Sequence, residues 1–260
     1  MNTLLKTLGC AAVLAAFGLS AQAQSLPDTL TIGTEGAYPP FNFTDADGNV
    51  QGFEVDLGNA LCAEMGVTCT WVTQDWDGLI PGLLARKYDA IMASLLITEP
   101  RKEVITFSDK YYQVPARFAV PKDSDIEISA EGLEGKVIGT QRATSFENFL
   151  SSEMPGAELR LYGTMDEAYL DLESGRVDAV MGDIIGLAEG FLTQDTGETY
   201  EMRGPEFTGV AYFGEGVGMG VRKEDAAIAE AASEAIKTLR DNGTYQELSD
   251  KWFNADVYGG

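Results

Sequence analysis

At 260 residues the chain exceeds what one core commonly organises, and its 45% hydrophobic and 23% charged residues are globular proportions that exclude collagen-like, disordered and multi-span membrane chains. Eighteen Lys and Arg stand against 41 Asp and Glu, a net charge of -23 that repels phosphate backbones and anionic headgroups and excludes nucleic acid as a partner. The absence of histidine removes Ser-His-Asp and Cys-His catalysis, His-ligated zinc and histidine proton shuttles, leaving carboxylates, Arg, Lys, hydroxyls and backbone to do any chemistry.

In chain order, Lys6 is the only charge among the first 27 residues, and residues 8–19 form an apolar run too short to span a bilayer. With the small-x-small pattern Ala21-Gln22-Ala23 they read as a signal peptide over 1–23, with the mature chain starting at Gln24. Leu8-Gly9-Cys10 offers a lipoprotein cleavage box as the alternative, but nearly all of the apolar run lies after this cysteine instead of before it, which argues against that reading. In an oxidising compartment Cys62 and Cys69, seven apart, are expected to pair; two buried thiols are the alternative.

From Thr29 short β-rich runs alternate with helical patterns, which predicts an α/β fold with largely parallel sheets. Strands are expected at 29–34, 67–72 and 88–93, with helices at 53–65, stopped by Gly66, and at 76–86, marked by Asp75. The alternation restarts after Lys136 with strands at 137–140, 158–162 and 177–181 and helices at 145–150 and 165–174. Tyr88-Asp89-Ala90-Ile91-Met92 recurs as Val177-Asp178-Ala179-Val180-Met181, in each case after a helix end and a basic turn. Five residues beyond these aspartates lie Ser94 and Asp183, at equivalent strand ends, where α/β sheets bind ligands and where an interdomain cleft would bring them face to face. A chance recurrence of a short pattern is the alternative. The strand 217–221 and helices 225–240 and 245–252 have no counterpart mid-chain and are expected to complete the first lobe, with extended crossings near 112–115 and 209–212. This divides the chain into lobe 1 at 24–113, lobe 2 at 114–211 and the completion of lobe 1 at 212–260.

Gly33-Thr34-Glu35-Gly36-Ala37-Tyr38-Pro39-Pro40-Phe41, Gly52-Phe53-Glu54-Val55-Asp56-Leu57, Trp76-Asp77-Gly78-Leu79-Ile80-Pro81, Ile97-Thr98-Glu99-Pro100-Arg101 and Asn242-Gly243-Thr244-Tyr245 resemble the family 3 periplasmic solute-binding proteins of amino-acid ABC transporters. Within the family the chain is most similar to the lysine/arginine/ornithine-binding and opine-binding group, whose paired cysteines match Cys62 and Cys69. The resemblance implies a two-lobed periplasmic-binding-protein type II fold, with a ligand cleft between lobes joined by two hinge crossings. It further implies a monomer without cofactor or metal that closes on one amino acid and presents it to a membrane permease, its mature chain not inserted in the membrane.

The resemblance gives Arg101, following Thr98 as a helix N-cap, the role of holding an α-carboxylate, which suits a bidentate guanidinium. A surface arginine is the alternative. Thr140 and Thr144 belong to a strand-to-helix turn whose free N–H groups favour an anion, unless Thr144 is a plain N-cap. Asp183 is the expected partner of an α-ammonium, assisted by Ser94. Glu35, Tyr38 and Trp76 form the expected side-chain pocket, in which two aromatic faces and a carboxylate favour a flat or cationic group over a purely structural role for the rings. A basic amino acid of arginine, lysine or ornithine type follows. A neutral polar amino acid or an opine is the alternative within the same class. An enzyme using Glu35 and Asp183 in the manner of the dehydratases on this fold, and a module reporting to a signalling partner, are the competing classes.

Overall fold

A computed structural model describes residues 26–259; the expected signal peptide and Cys10 lie outside the described residues. The first part of the chain runs β1 (Thr29–Thr34), β2 (Ala37–Tyr38), β3 (Asn42–Thr44), β4 (Val50–Gln51), α1 (Phe53–Met65), β5 (Thr68–Thr73), α2 (Leu79–Leu84), β6 (Ala90–Ile91), α3 (Glu99–Lys102) and β7 (Thr106–Tyr112). The middle holds β8 (Ala116–Pro121), β9 (Val137–Gln141), α4 (Ser145–Glu153), β10 (Glu158–Tyr162), α5 (Met165–Glu173), β11 (Ala179–Asp183), α6 (Ile184–Leu187) and β12 (Tyr200–Phe207). The chain ends with α7 (Val210–Phe213), β13 (Val217–Val221), α8 (Ala226–Asp241) and α9 (Thr244–Phe253).

Two five-stranded sheets form, ordered β5-β1-β6-β13-β7 and β10-β9-β11-β8-β12, and the short strands β2-β3-β4 make a third. The expectation of largely parallel sheets is corrected by the pairing. In the first sheet β5, β1 and β6 run parallel, while β13 is antiparallel to both its neighbours. In the second, β10, β9 and β11 run parallel, while β8 is antiparallel to both of its own. Each odd strand belongs to a chain that has just crossed from the other sheet and enters from the opposite end. β13 falls between β6 and β7, so the C-terminal segment does complete the first sheet. The second crossing departs from expectation, because residues 210–213 form one helical turn: Phe213 N–H donates to the Gly209 carbonyl at 2.9 Å.

The recurrent aspartates do the same work in both sheets. Thr31 N–H, in β1, donates to Asp89 Oδ2 at 3.1 Å, and Val137 N–H, in β9, donates to Asp178 Oδ2 at 2.7 Å. Each carboxylate thereby ties the start of its parallel strand to the central strand. The buried Arg222 guanidinium, just past β13, adds bonds to the Tyr88 carbonyl at 2.6 Å and to Asp89 Oδ1 at 3.2 Å, fastening the returning chain to the same corner.

Burial follows the expected periods. Leu30 and Ile32 alternate inward from β1, and Ile228, Ala232, Ile236 and Leu239 give α8 one apolar face. The second core gathers around Phe118, Val120, Ile138, Leu150 and Met181. No helix among the described residues is long and apolar enough to cross a membrane.

Helix α1 ends where Gly66 adopts φ 72°, a left-handed turn that brings the chain straight into β5. Cys62, in the last turn of α1, is consequently 5.8 Å from Cys69 of β5 between Cα atoms, and the two form a disulfide. A loop this short predicts a loss of about 2 to 3 kcal/mol in the stability of Cys62→Ala/Cys69→Ala by urea unfolding. Mass analysis of the non-reduced peptides should show the pair two hydrogens light. Two alkylatable thiols in the native protein would refute the pairing.

Candidate ligand-binding site

One cavity lies between the sheets' C-terminal ends, lined from the first by Glu35, Tyr38, Trp76, Ser94, Leu96 and Arg101 and from the second by Gln141, Thr144, Ser145, Phe146 and Asp183. Seven of the eight predicted ligand residues therefore meet. Thr140 does not: it is fully buried inside β9, where its hydroxyl donates to the Met181 carbonyl at 3.1 Å and supports the neighbouring strand. Successive strand residues face opposite sides, and at this strand end it is Gln141 that faces the cavity.

Arg101 sits in the single turn of α3, and Thr98 holds the N-cap position without a side-chain capping bond. The Arg101 guanidinium donates to the Leu96 carbonyl at 3.0 Å and lies 5.3 Å from the centre of the Trp76 ring, a cation–π contact. Desolvation pulls the guanidinium down to about 10. Among the described residues it makes no ion pair.

Across the cavity Thr144 caps α4: its hydroxyl accepts from Glu147 N–H at 3.2 Å and donates to the Gln141 carbonyl at 2.7 Å. Thr144 is therefore the N-cap of α4 and also lines the cavity. Thr144, Ser145 and Phe146 bring the first turn of this nine-residue helix to the cavity, where its N–H groups and dipole favour an anion.

Asp183 ends β11 and caps α6, accepting from Ile185 N–H at 3.0 Å and Gly186 N–H at 2.7 Å through Oδ1. Its Oδ2 accepts from the Tyr38 hydroxyl of the other lobe. Burial raises its pKa against the help of these donors, and among the described residues it makes no ion pair. Tyr38 stacks on Phe41 with ring centres 5.6 Å apart and directs its hydroxyl to Asp183.

Glu35 is buried on the opposite wall, and Gln141 Nε2 donates to its Oε1 at 2.5 Å. Desolvation lifts this carboxyl to about 7, with Asp166, Asp75 and Glu54 adding to the rise and Gln141 opposing it. The lobes also touch where Trp76 Nε1 donates to the Ala143 carbonyl at 3.2 Å and where Arg142 Nε meets Asp77 Oδ2 at 2.7 Å.

Ser94 owes its place to a residue that sequence reasoning passed over. Glu54 is fully buried and accepts from Asn42 Nδ2 at 2.7 Å, Tyr111 hydroxyl at 2.5 Å, and both N–H and hydroxyl of Ser94, at 2.7 and 3.3 Å. Ser94 has φ 54°, in the left-handed region, and these bonds hold it there. The second unforeseen group is Gln141, and Phe146 and Phe213, with ring centres 6.0 Å apart, contribute an apolar wall.

Two mixed α/β lobes joined by two crossings around a charged cavity define a solute-binding protein. Residues 30–255 match the bacterial extracellular solute-binding proteins, family 3, and the chain belongs to that family. It is 44% identical over 257 residues to the L-arginine-binding protein of Pseudomonas aeruginosa, covering 98% of this chain and 99% of that one. It is 41% identical over 247 residues to the lysine/arginine/ornithine-binding periplasmic protein of Escherichia coli, covering 93% and 95%. Among solved structures, an ancestral arginine-binding protein bound to arginine superposes with a TM-score of 0.80 at 34% identity, covering 87% of this chain and 99% of that one. An ancestral arginine-binding protein bound to glutamine gives the same TM-score and identity, covering 88% and 100%.

The cage around Glu54 makes a direct prediction. Glu54→Gln replaces an acceptor-only group by one that must point N–H toward neighbours that already donate, so unfolding in urea should show a loss of about 2 to 4 kcal/mol. An unchanged midpoint would show that the carboxylate is not what holds Ser94.

Proposed function

We propose that this protein is the periplasmic receptor of an ABC transporter, that it binds a basic amino acid of arginine, lysine or ornithine type between its lobes, and that it hands the ligand unchanged to a membrane permease. The observation that carries this reading is the charge in the cavity: one cation, Arg101, and two carboxylates, Asp183 and Glu35, line it without pairing with one another. A ligand with one carboxylate and two cationic groups leaves that set neutral, whereas a zwitterion leaves a buried carboxylate uncompensated. The α-carboxylate goes to Arg101 and the first turn of α4. The α-ammonium goes to Asp183 and Ser94, and the distal cation to Glu35, with Tyr38 and Trp76 as the walls between. The arginine-binding and lysine/arginine/ornithine-binding relatives support the same class of ligand. The glutamine-bound ancestral structure supports a second reading, a neutral polar amino acid in the same cavity.

Walls from both lobes and four direct contacts across the cleft mean that a ligand enters only when the lobes part. In this proposal residues 24–113 and 212–260 move as one body against 114–211. The protein acts as a monomer after export through its signal peptide.

Titration calorimetry with arginine and citrulline, similar in shape and different in charge, tests the assignment. Arg101→Ala should weaken both alike, because both carry the same carboxylate. Glu35→Gln should weaken arginine more than citrulline, by about 1 to 3 kcal/mol. Equal losses in the Glu35 variant would remove the case for a basic ligand. Because Glu35 ionises near pH 7, and only its charged form neutralises a cation, arginine affinity should be full above that pH and decline as the pH falls through it. Citrulline affinity should not follow that decline.

A further inference from the structure

We infer that Gln141 is a specificity-determining residue, one that sets how strictly the pocket demands a cationic side chain by supplying Glu35 with a donor when the ligand brings none. The inference rests on the reading above, in which Glu35 receives the distal end of the ligand. Gln141 is the last residue of β9, is 5% exposed, and reaches Glu35 from the opposite lobe with its Nε2 at 2.5 Å. The same nitrogen donates to the Gly163 carbonyl at 2.9 Å. A carbonyl only accepts, and so does an ionised carboxylate, so turning the amide over would set Oε1 against two acceptors. The surroundings fix the amide with its nitrogen toward Glu35.

Asp166, Asp75 and Glu54 oppose the charge of Glu35, while Gln141 favours it; Arg142 and Glu167 share a surface pocket with Glu35. With a neutral ligand bound, the amide of Gln141 is what keeps the Glu35 carboxylate from lying unpaired in a buried site. With a cationic ligand bound, a guanidinium or ammonium supplies charge-assisted donors of its own, and the amide matters less. Gln141 therefore makes the cavity tolerant. A pocket with Glu35 alone would reject neutral side chains, and the amide relaxes that rejection. The wall that shapes this choice belongs to lobe 2, so selection happens as the lobes meet.

The test compares Gln141→Met, which keeps length and loses the donor, with Gln141→Glu, which replaces the donor by an acceptor. Dissociation constants for arginine and citrulline are measured by calorimetry on wild type and both variants. The bond to the Gly163 carbonyl is lost with either ligand and cancels in their ratio. In Gln141→Met the preference for arginine over citrulline should rise about tenfold, mainly through weaker citrulline binding, as expected for one hydrogen bond to a charged group. Gln141→Glu should move the preference in the same direction. The pH at which arginine affinity falls should shift upward in Gln141→Met, a change that a packing role alone would not produce. Equal weakening of both ligands, or a reduced preference for arginine, overturns the inference. A wild type with no preference for arginine would instead sink the reading of Glu35 itself, and the role of Gln141 with it.

Discussion

The cleft keeps charges of opposite sign close together without letting them meet. Arg101, Asp183 and Glu35 line one cavity, and each is occupied by a weaker partner: a backbone carbonyl and a ring face for the arginine, helix N–H groups and a tyrosine for Asp183, an amide for Glu35. Direct ion pairs among them would lower the energy of the unliganded protein and leave nothing for a charged ligand to gain. Holding them apart requires rigid attachment, and the fold provides it at the carboxyl ends of strands. Asp183 ends β11, Glu35 follows β1, and Ser94 follows β6 under the grip of Glu54.

The two-lobe arrangement turns this electrostatic arrangement into a conformational one. Four polar contacts cross the cleft: Tyr38 to Asp183, Glu35 to Gln141, Trp76 to the Ala143 carbonyl, Asp77 to Arg142. The first two lie at residues assigned to the ligand, so recognition and closure use the same atoms. A ligand that satisfies Asp183 and Glu35 acts at the seam where the lobes meet. One that leaves either carboxylate unsatisfied makes closure less favourable, and in this way charge selection and hinge motion become one equilibrium.

Much of this was legible in the sequence. The helix at 53–65, its Gly66 stop, the strands at 29–34, 158–162 and 217–221, and the recurrent aspartates all follow from local periodicity and turn chemistry. What escaped depends on tertiary partners. Strands β7, β8 and β12 carry the chain between lobes and pair antiparallel, and no periodicity reveals which neighbour a strand will find. Glu54 stands in the first turn of α1, where an acid ordinarily satisfies the helix dipole at the surface; only the arrival of Asn42, Ser94 and Tyr111 makes it a buried anchor. Thr140 and Gln141 are adjacent and both polar, and the pleat turns only one of them to the cleft. Phe146 and Phe213 are distant in sequence, and only the helical turn at 210–213 brings their rings together.

In the proposed binding mode a ligand bearing one carboxylate and two cationic groups neutralises the cavity, each group at its own wall. A crystal structure of the protein with arginine tests it most directly. The α-carboxylate is expected against Arg101 and the start of α4, the α-ammonium against Asp183 and Ser94, and the guanidinium against Glu35 with the lobes closed around it. Arginine bound in the reverse direction, or with its guanidinium away from Glu35, would contradict it.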